Sequence, residues 1–86
     1  MSSQASLELL EIFEKVLNKP VHLEDNFEDL GGESMEMQDI IGLINRTYQL
    51  KIKVKDVLKL KYIDRIIEYV IRQRNLDQPQ TSDMTA

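Results

Sequence analysis

The chain has 86 residues, 11 basic and 15 acidic groups, and a net charge of −4. So short a chain is one domain with a small core, since it buries only roughly 60% of the surface its unfolded form exposes. The absence of Cys excludes a disulfide framework or a thiolate metal site, and a single His excludes a His-rich zinc site. No apolar run is long enough to span a membrane. Met1–Ser6 has neither a basic nor an apolar segment of the secretory kind, so a cytoplasmic protein is expected. The charge is unevenly spread. Residues 1–33 carry eight carboxylates against Lys15 and Lys19, whereas residues 51–74 carry eight bases against Asp56, Asp64 and Glu68. A molecule with an acidic front and a basic back is oriented by a charged partner.

In chain order, residues 1–6 are expected to be flexible, residues 7–74 to form the folded domain, and residues 75–86 to be a disordered polar tail. Residues 7–18 predict a helix, with Leu10, Phe13 and Leu17 on one face and Asn18 and Pro20 ending it. Residues 19–33 form a long loop in which Val21, Leu23, Phe27 and Leu30 are placed to fill gaps between helices. A loop that long in so small a domain points to function. Residues 34–49 predict a second helix with a buried stripe of Met37, Ile40, Ile41, Ile44 and Tyr48. Residues 50–61 are ambiguous. Lys51–Lys55 alternates like an edge strand, and Asp56 is placed to cap a turn ending at Leu60, so an extended link followed by a short helix is expected. Residues 63–74 give the clearest helical period, Ile63, Ile66, Ile67, Val70 and Ile71. The fold class is therefore all-α, a small four-helix bundle of three main helices and one short one.

The informative segment is Asp25–Met35, DNFEDLGGESM. Its glycine pair permits backbone conformations closed to other residues and delivers Ser34 to the start of the second helix. Unpaired N–H groups and the helix dipole favour an anion there, so an exposed Ser34 hydroxyl suits a phosphate ester. The plainer reading is that Ser34 only caps the helix.

An acidic loop plugged by Phe and Leu, then Leu30-Gly31-Gly32-x-Ser34-Met35, then an amphipathic helix, resembles the acyl carrier and peptidyl carrier proteins that bear 4′-phosphopantetheine. The resemblance covers about residues 7 to 74. It implies that Ser34 is the attachment site and that the arm comes from coenzyme A through a phosphopantetheinyl transferase. It also implies that the chain carries an acyl intermediate as a thioester, in fatty acid, polyketide or related biosynthesis, and is not itself an enzyme. A peptidyl (aminoacyl) carrier of a nonribosomal peptide pathway is the alternative. The implied partners are that transferase and the loading and condensing enzymes, with the chain a monomer. The sequence departs from the family pattern at Glu33, where Asp or His usually precedes the serine, at Asn45 and Arg46, where acids are common, and at Tyr62, where Thr usually introduces the last helix.

Beside Ser34, the residues expected to recognise partners are Glu33, Met35, Glu36, Gln38 and Asp39. Met35, Gln38 and Gly42 lie opposite the buried stripe of the second helix, which makes Met35 either an exposed apolar contact or a packing residue. The acids either meet basic enzyme rims or simply suit the helix dipole. A Ser34–His22–Asp enzyme is set aside for want of a substrate pocket, and no metal site is expected. Residues 51–61 hold five lysines, but the acidic balance of the chain and the lack of Phe and Trp among them argue against nucleic acid. A small helical interaction module without a prosthetic group is the rival from another class.

Overall fold

The structure is a computed structural model and describes residues 3–77. It consists of α1 (Ser3–Leu17), α2 (Ser34–Tyr48), α3 (Val54–Leu58) and α4 (Ile63–Asp77), with no strand among the described residues. This is the four-helix arrangement expected, with loop 1, residues 18–33, between α1 and α2. One core joins all four helices and the loop. It is built from Leu9 and Phe13 of α1, Val21 and Phe27 of loop 1, Met37, Ile40, Ile41 and Ile44 of α2, Val57 of α3, and Ile63, Ile66, Ile67 and Val70 of α4. No buried side-chain nitrogen or oxygen lacks a hydrogen-bond partner among the described residues.

Several boundaries differ from expectation. Of residues 1–6, residues 3–6 are helical and form the first turn of α1, and residues 1–2 lie outside the described residues. Gln4 and Ala5 are good helix formers, and Ala5 and Ser6 are half-buried, so tertiary packing carries the helix back beyond Leu7. The innermost residues of α1 are Leu9 and Phe13, while Leu10 and Leu17 are only half-buried. The apolar arc of this helix is broad, including Ile12 and Val16, so periodicity alone did not locate its centre. In loop 1, Val21 and Phe27 are buried and Leu30 half-buried, but Leu23 is exposed. α2 ends at Tyr48 because Gln49 adopts a left-handed conformation, φ 59° and ψ 52°. α4 runs on to Asp77, so Asn75–Asp77 are helical and the expected tail beyond them lies outside the described residues.

The link between α2 and α3 is extended as expected, and its hold is specific. The Asn45 amide donates to the Ile52 carbonyl at 3.0 Å and accepts the Ile52 N–H at 2.9 Å. A side-chain amide so replaces a neighbouring strand, and Leu50 and Ile52 are buried behind it. Asp56 does not cap α3. The cap position is the extended Lys53, and Asp56 lies inside the first turn, where its charge suits the helix dipole.

At the far end of the bundle the Tyr48 hydroxyl donates to Glu8 Oε1 at 2.9 Å, and the Arg74 guanidinium sits 4.8 Å from the centre of the Tyr48 ring. The contact joins α1, α2 and α4. Burial first, then the Glu8 carboxylate, raises the Tyr48 pKa above its ordinary value, against a smaller opposite pull from Arg74.

Candidate functional site

The site is built by loop 1. Asn18 ends α1 in a left-handed conformation (φ 60°), and Glu14 Oε2 accepts the Val21 N–H at 3.0 Å, turning the chain back towards the bundle. Asp25 Oδ2 reaches back to accept the His22 N–H at 2.7 Å, and Asn26 Oδ1 accepts the Glu28 N–H at 2.8 Å, the side-chain turn typical of Asn. His22 is exposed beside Asp25, its Nδ1 3.6 Å from the carboxylate. Among the described residues no group of three or more His, Asp or Glu is gathered to hold a metal.

Phe27 anchors the loop. Its ring meets Phe13 edge-on, with centroids 6.3 Å apart and planes at 79°, and it is fully buried. The backbone then closes over it. The Phe27 carbonyl accepts the N–H groups of Leu30 and Gly32 at 3.2 and 3.1 Å, and Glu28 accepts that of Gly31 at 3.0 Å. Each glycine has its own reason. Gly31 has φ +84°, the left-handed region that side chains avoid. A Cβ on Gly32 would fall 2.4 Å from two atoms of the Phe27 ring. Lys19 Nζ donates to the Leu30 carbonyl at 2.7 Å, pinning the end of the turn to the end of α1. No sequence signal singled out Lys19, since one exposed lysine after a helix looks like any other.

Ser34 is the first residue of α2, and the cap before it is Glu33, extended at φ −129°, ψ 175°. Glu36 Oε1 accepts the Glu33 N–H at 3.0 Å, as in a capping box, and the Glu33 carbonyl accepts the Met37 N–H at 3.0 Å. The helix start is therefore closed by glutamates, and the reading of Ser34 as a mere cap does not hold. Ser34 is exposed, and its hydroxyl makes no hydrogen bond to another described residue. Around it Met35 is 70% exposed, so it is not a packing residue. Gln38, Asp39 and Glu33 are exposed and Glu36 half-buried, so the six residues singled out in the sequence come together on the first turns of α2. On its own side Gly42 has open space.

An exposed, unengaged hydroxyl on a helix's first turn is a nucleophile of the kind that can accept a phosphoryl group. The family profile of the phosphopantetheine attachment site matches residues 8–70. The chain belongs to this family of phosphopantetheine-bearing carriers, and its part is that of a carrier and not of an enzyme. Gramicidin S synthase 1 of Brevibacillus brevis is 35% identical over 63 residues, which is 72% of this chain and 6% of that protein. The solution structure of a non-covalent extended docking domain complex of the Pax NRPS, PaxA T1-CDD/PaxB NDD, superimposes with a TM-score of 0.78 at 22% identity. The match covers 94% of this chain and 79% of the other, and at that identity it speaks for the fold alone. No helix among the described residues is long and apolar enough to cross a membrane.

Proposed function

We propose that this chain is a peptidyl (aminoacyl) carrier of the nonribosomal type, modified with 4′-phosphopantetheine on Ser34. The observation that carries the reading is the division of labour at the start of α2: Glu33 and Glu36 close the helix and leave the Ser34 hydroxyl exposed and unengaged. The relative named gramicidin S synthase favours peptidyl over acyl cargo. When bound, the arm supplies a terminal thiol on which cargo rides as a thioester.

The chain's own residues hold and present the attachment point. Loop 1 fixes Ser34 at the end of a turn seated on Phe27. Met35 offers a flexible apolar contact beside it, suited to successive partners of different shape. Glu33, Glu36 and Asp39 steer basic enzyme rims towards it, and steering suits a carrier that is bound and released repeatedly. The partners implied are a phosphopantetheinyl transferase and enzymes that load and condense aminoacyl groups.

Intact mass is the test. Incubation with coenzyme A and a broad-specificity transferase adds one phosphopantetheinyl mass to the wild type and none to Ser34→Ala. A mass gain on the Ala variant would place the attachment elsewhere. Replacing Glu36 and Asp39 with Lys slows loading roughly three- to tenfold, chiefly through association, and added salt slows the wild type in the same direction. A loading rate indifferent to both would remove the acids from recognition. Charging by an amino-acid-activating enzyme, against transfer from an acyl donor, separates peptidyl from acyl cargo.

A further inference from the structure

Past α2 the chain builds a second surface, of opposite sign to the Ser34 side. Lys51, Lys53, Lys55, Lys59 and Lys61 are all exposed, and the fold turns each outward for a definite reason. Asn45 holds Ile52 by both its N–H and its carbonyl, which keeps residues 50–53 extended. Leu50 and Ile52 are buried, so the period of two throws Lys51 and Lys53 to the solvent side. α3 buries Val57 and half-buries Val54 and Leu58, so Lys55 and Lys59, one turn apart, share its outer side. Lys61 follows in a left-handed conformation (φ 68°), its carbonyl held by the Phe27 N–H at 2.7 Å. Among the described residues none of the five is ion-paired; the one such contact there is His22 with Asp25. Asp56 is the one carboxylate in residues 51–61 and pairs with none of the five lysines, so the row repels itself and is relieved by an acidic partner.

The backbone says how that partner lies. Ile52 spends both its peptide groups on Asn45, so those of Lys51 and the N–H of Lys53 point the other way. They have no hydrogen-bond partner among the described residues. This is an open edge of the kind that pairs with an added strand.

We propose that the lysine edge is a second docking surface, for an acidic protein segment that lies extended along residues 51–53 and continues over the outer side of α3. Acids two apart in an extended segment repeat at about 7 Å, the spacing of Lys51 and Lys53. A long polyanion such as nucleic acid fits less well. Lys61 is tied to loop 1, where Glu24, Glu28 and Asp29 are exposed, and a strand running past the edge meets those carboxylates. A short acidic segment stops before them. The segment engages neither Ser34 nor the first turn of α2, so the docking does not depend on what Ser34 bears.

The test is a titration of the isotope-labelled chain, followed residue by residue by NMR, with a peptide of alternating glutamate and threonine. Saturable shifts confined to residues 51–61, largest at the Lys51 and Lys53 amides, are expected. Lys53→Glu with Lys55→Glu weakens binding roughly tenfold at unchanged helicity, because the Lys53 side chain makes no cap bond to α3. Glu36→Lys with Asp39→Lys does not weaken it. Ser34→Ala binds as the wild type does, so failure of the attachment reading leaves this result legible. Shifts centred elsewhere, undiminished binding by the lysine-reversed variant, or tighter binding of single-stranded oligothymidine of matched charge would each overturn the proposal.

Discussion

α2 and α4 start at the same end of the bundle, beside loop 1, and their starts are closed in opposite ways. α2 is capped within its own first residues, by Glu33 and Glu36. α4 is preceded by Tyr62, whose ring offers no acceptor to the first turn, and it is closed by backbone from far up the chain. The Ile63 N–H donates to the Asp25 carbonyl at 3.0 Å and the Asp64 N–H to the Leu23 carbonyl at 2.9 Å. A single antiparallel bridge pairs Asn26 with Tyr62 beside them. The locally closed start leaves a hydroxyl free for a partner. The remotely closed one fastens loop 1 to α4, so the segment leading into Ser34 is held at both ends. The orphan N–H groups of a helix must find acceptors, and here the choice of acceptor decides which residues remain available.

The strongest way to break this arrangement is Gly32→Val. A Cβ at Gly32 collides with Phe27, and Phe27 cannot retreat because Phe13 stands edge-on behind it. The expected cost is about 3 kcal/mol, at the upper end for overpacking a filled core. The damage should reach α4 as well, because the same loop supplies its acceptors. Urea unfolding measures the first effect, and faster amide exchange at Ile63 and Asp64 the second. Full stability would mean that loop 1 yields more easily than its packing indicates.

The same contrast explains what could be read in advance. The start of α2, its buried stripe and the exposed Met35 rest on residues within one or two turns of each other, and periodicity reports such relations directly. The closing of α4 by Leu23 and Asp25, the hold of Asn45 on Ile52 and the reach of Lys19 to Leu30 each join residues at least seven apart through a backbone group. No side-chain pattern announces a backbone carbonyl as acceptor. Tyr62 and Asn45 accordingly stood out as departures from a family pattern, and the structure gives the reasons: one cap is replaced by loop carbonyls, and one amide stands in for a strand. The early start of α1 at Ser3 was hidden similarly, since its first turn is polar and is held by the packing of Ala5 and Ser6.

Giving α4 a local cap sharpens the comparison. In Tyr62→Thr the hydroxyl reaches the first-turn N–H groups that loop 1 does not serve, that of Arg65 first. A gain of about 0.5 kcal/mol is expected, the lower end of a cap's usual worth, because the half-exposed Tyr62 ring gives up some packing. The measurement is the denaturant midpoint at an unchanged slope. A loss of stability instead would show that the ring and the Asn26 bridge matter more than the missing cap.

The smallest effect is expected where the comparison has its functional edge. Were Ser34 the cap of α2, replacing it with Ala would cost about 1 kcal/mol. It stands one position inside the helix, with Glu33 at the cap and Glu36 bonded back to it, so its hydroxyl satisfies no orphan donor. Alanine has the higher helix propensity by roughly half a kcal/mol, and the side chain is exposed, so no packing is lost. The unmodified Ser34→Ala chain should therefore unfold within about 0.5 kcal/mol of the unmodified wild type, on the stable side if it differs. Denaturant unfolding of the two unmodified proteins decides it. A loss of 1 kcal/mol or more would mean that the hydroxyl is bonded to the first turn after all, and a hydroxyl so engaged is not the free nucleophile on which the carrier reading rests.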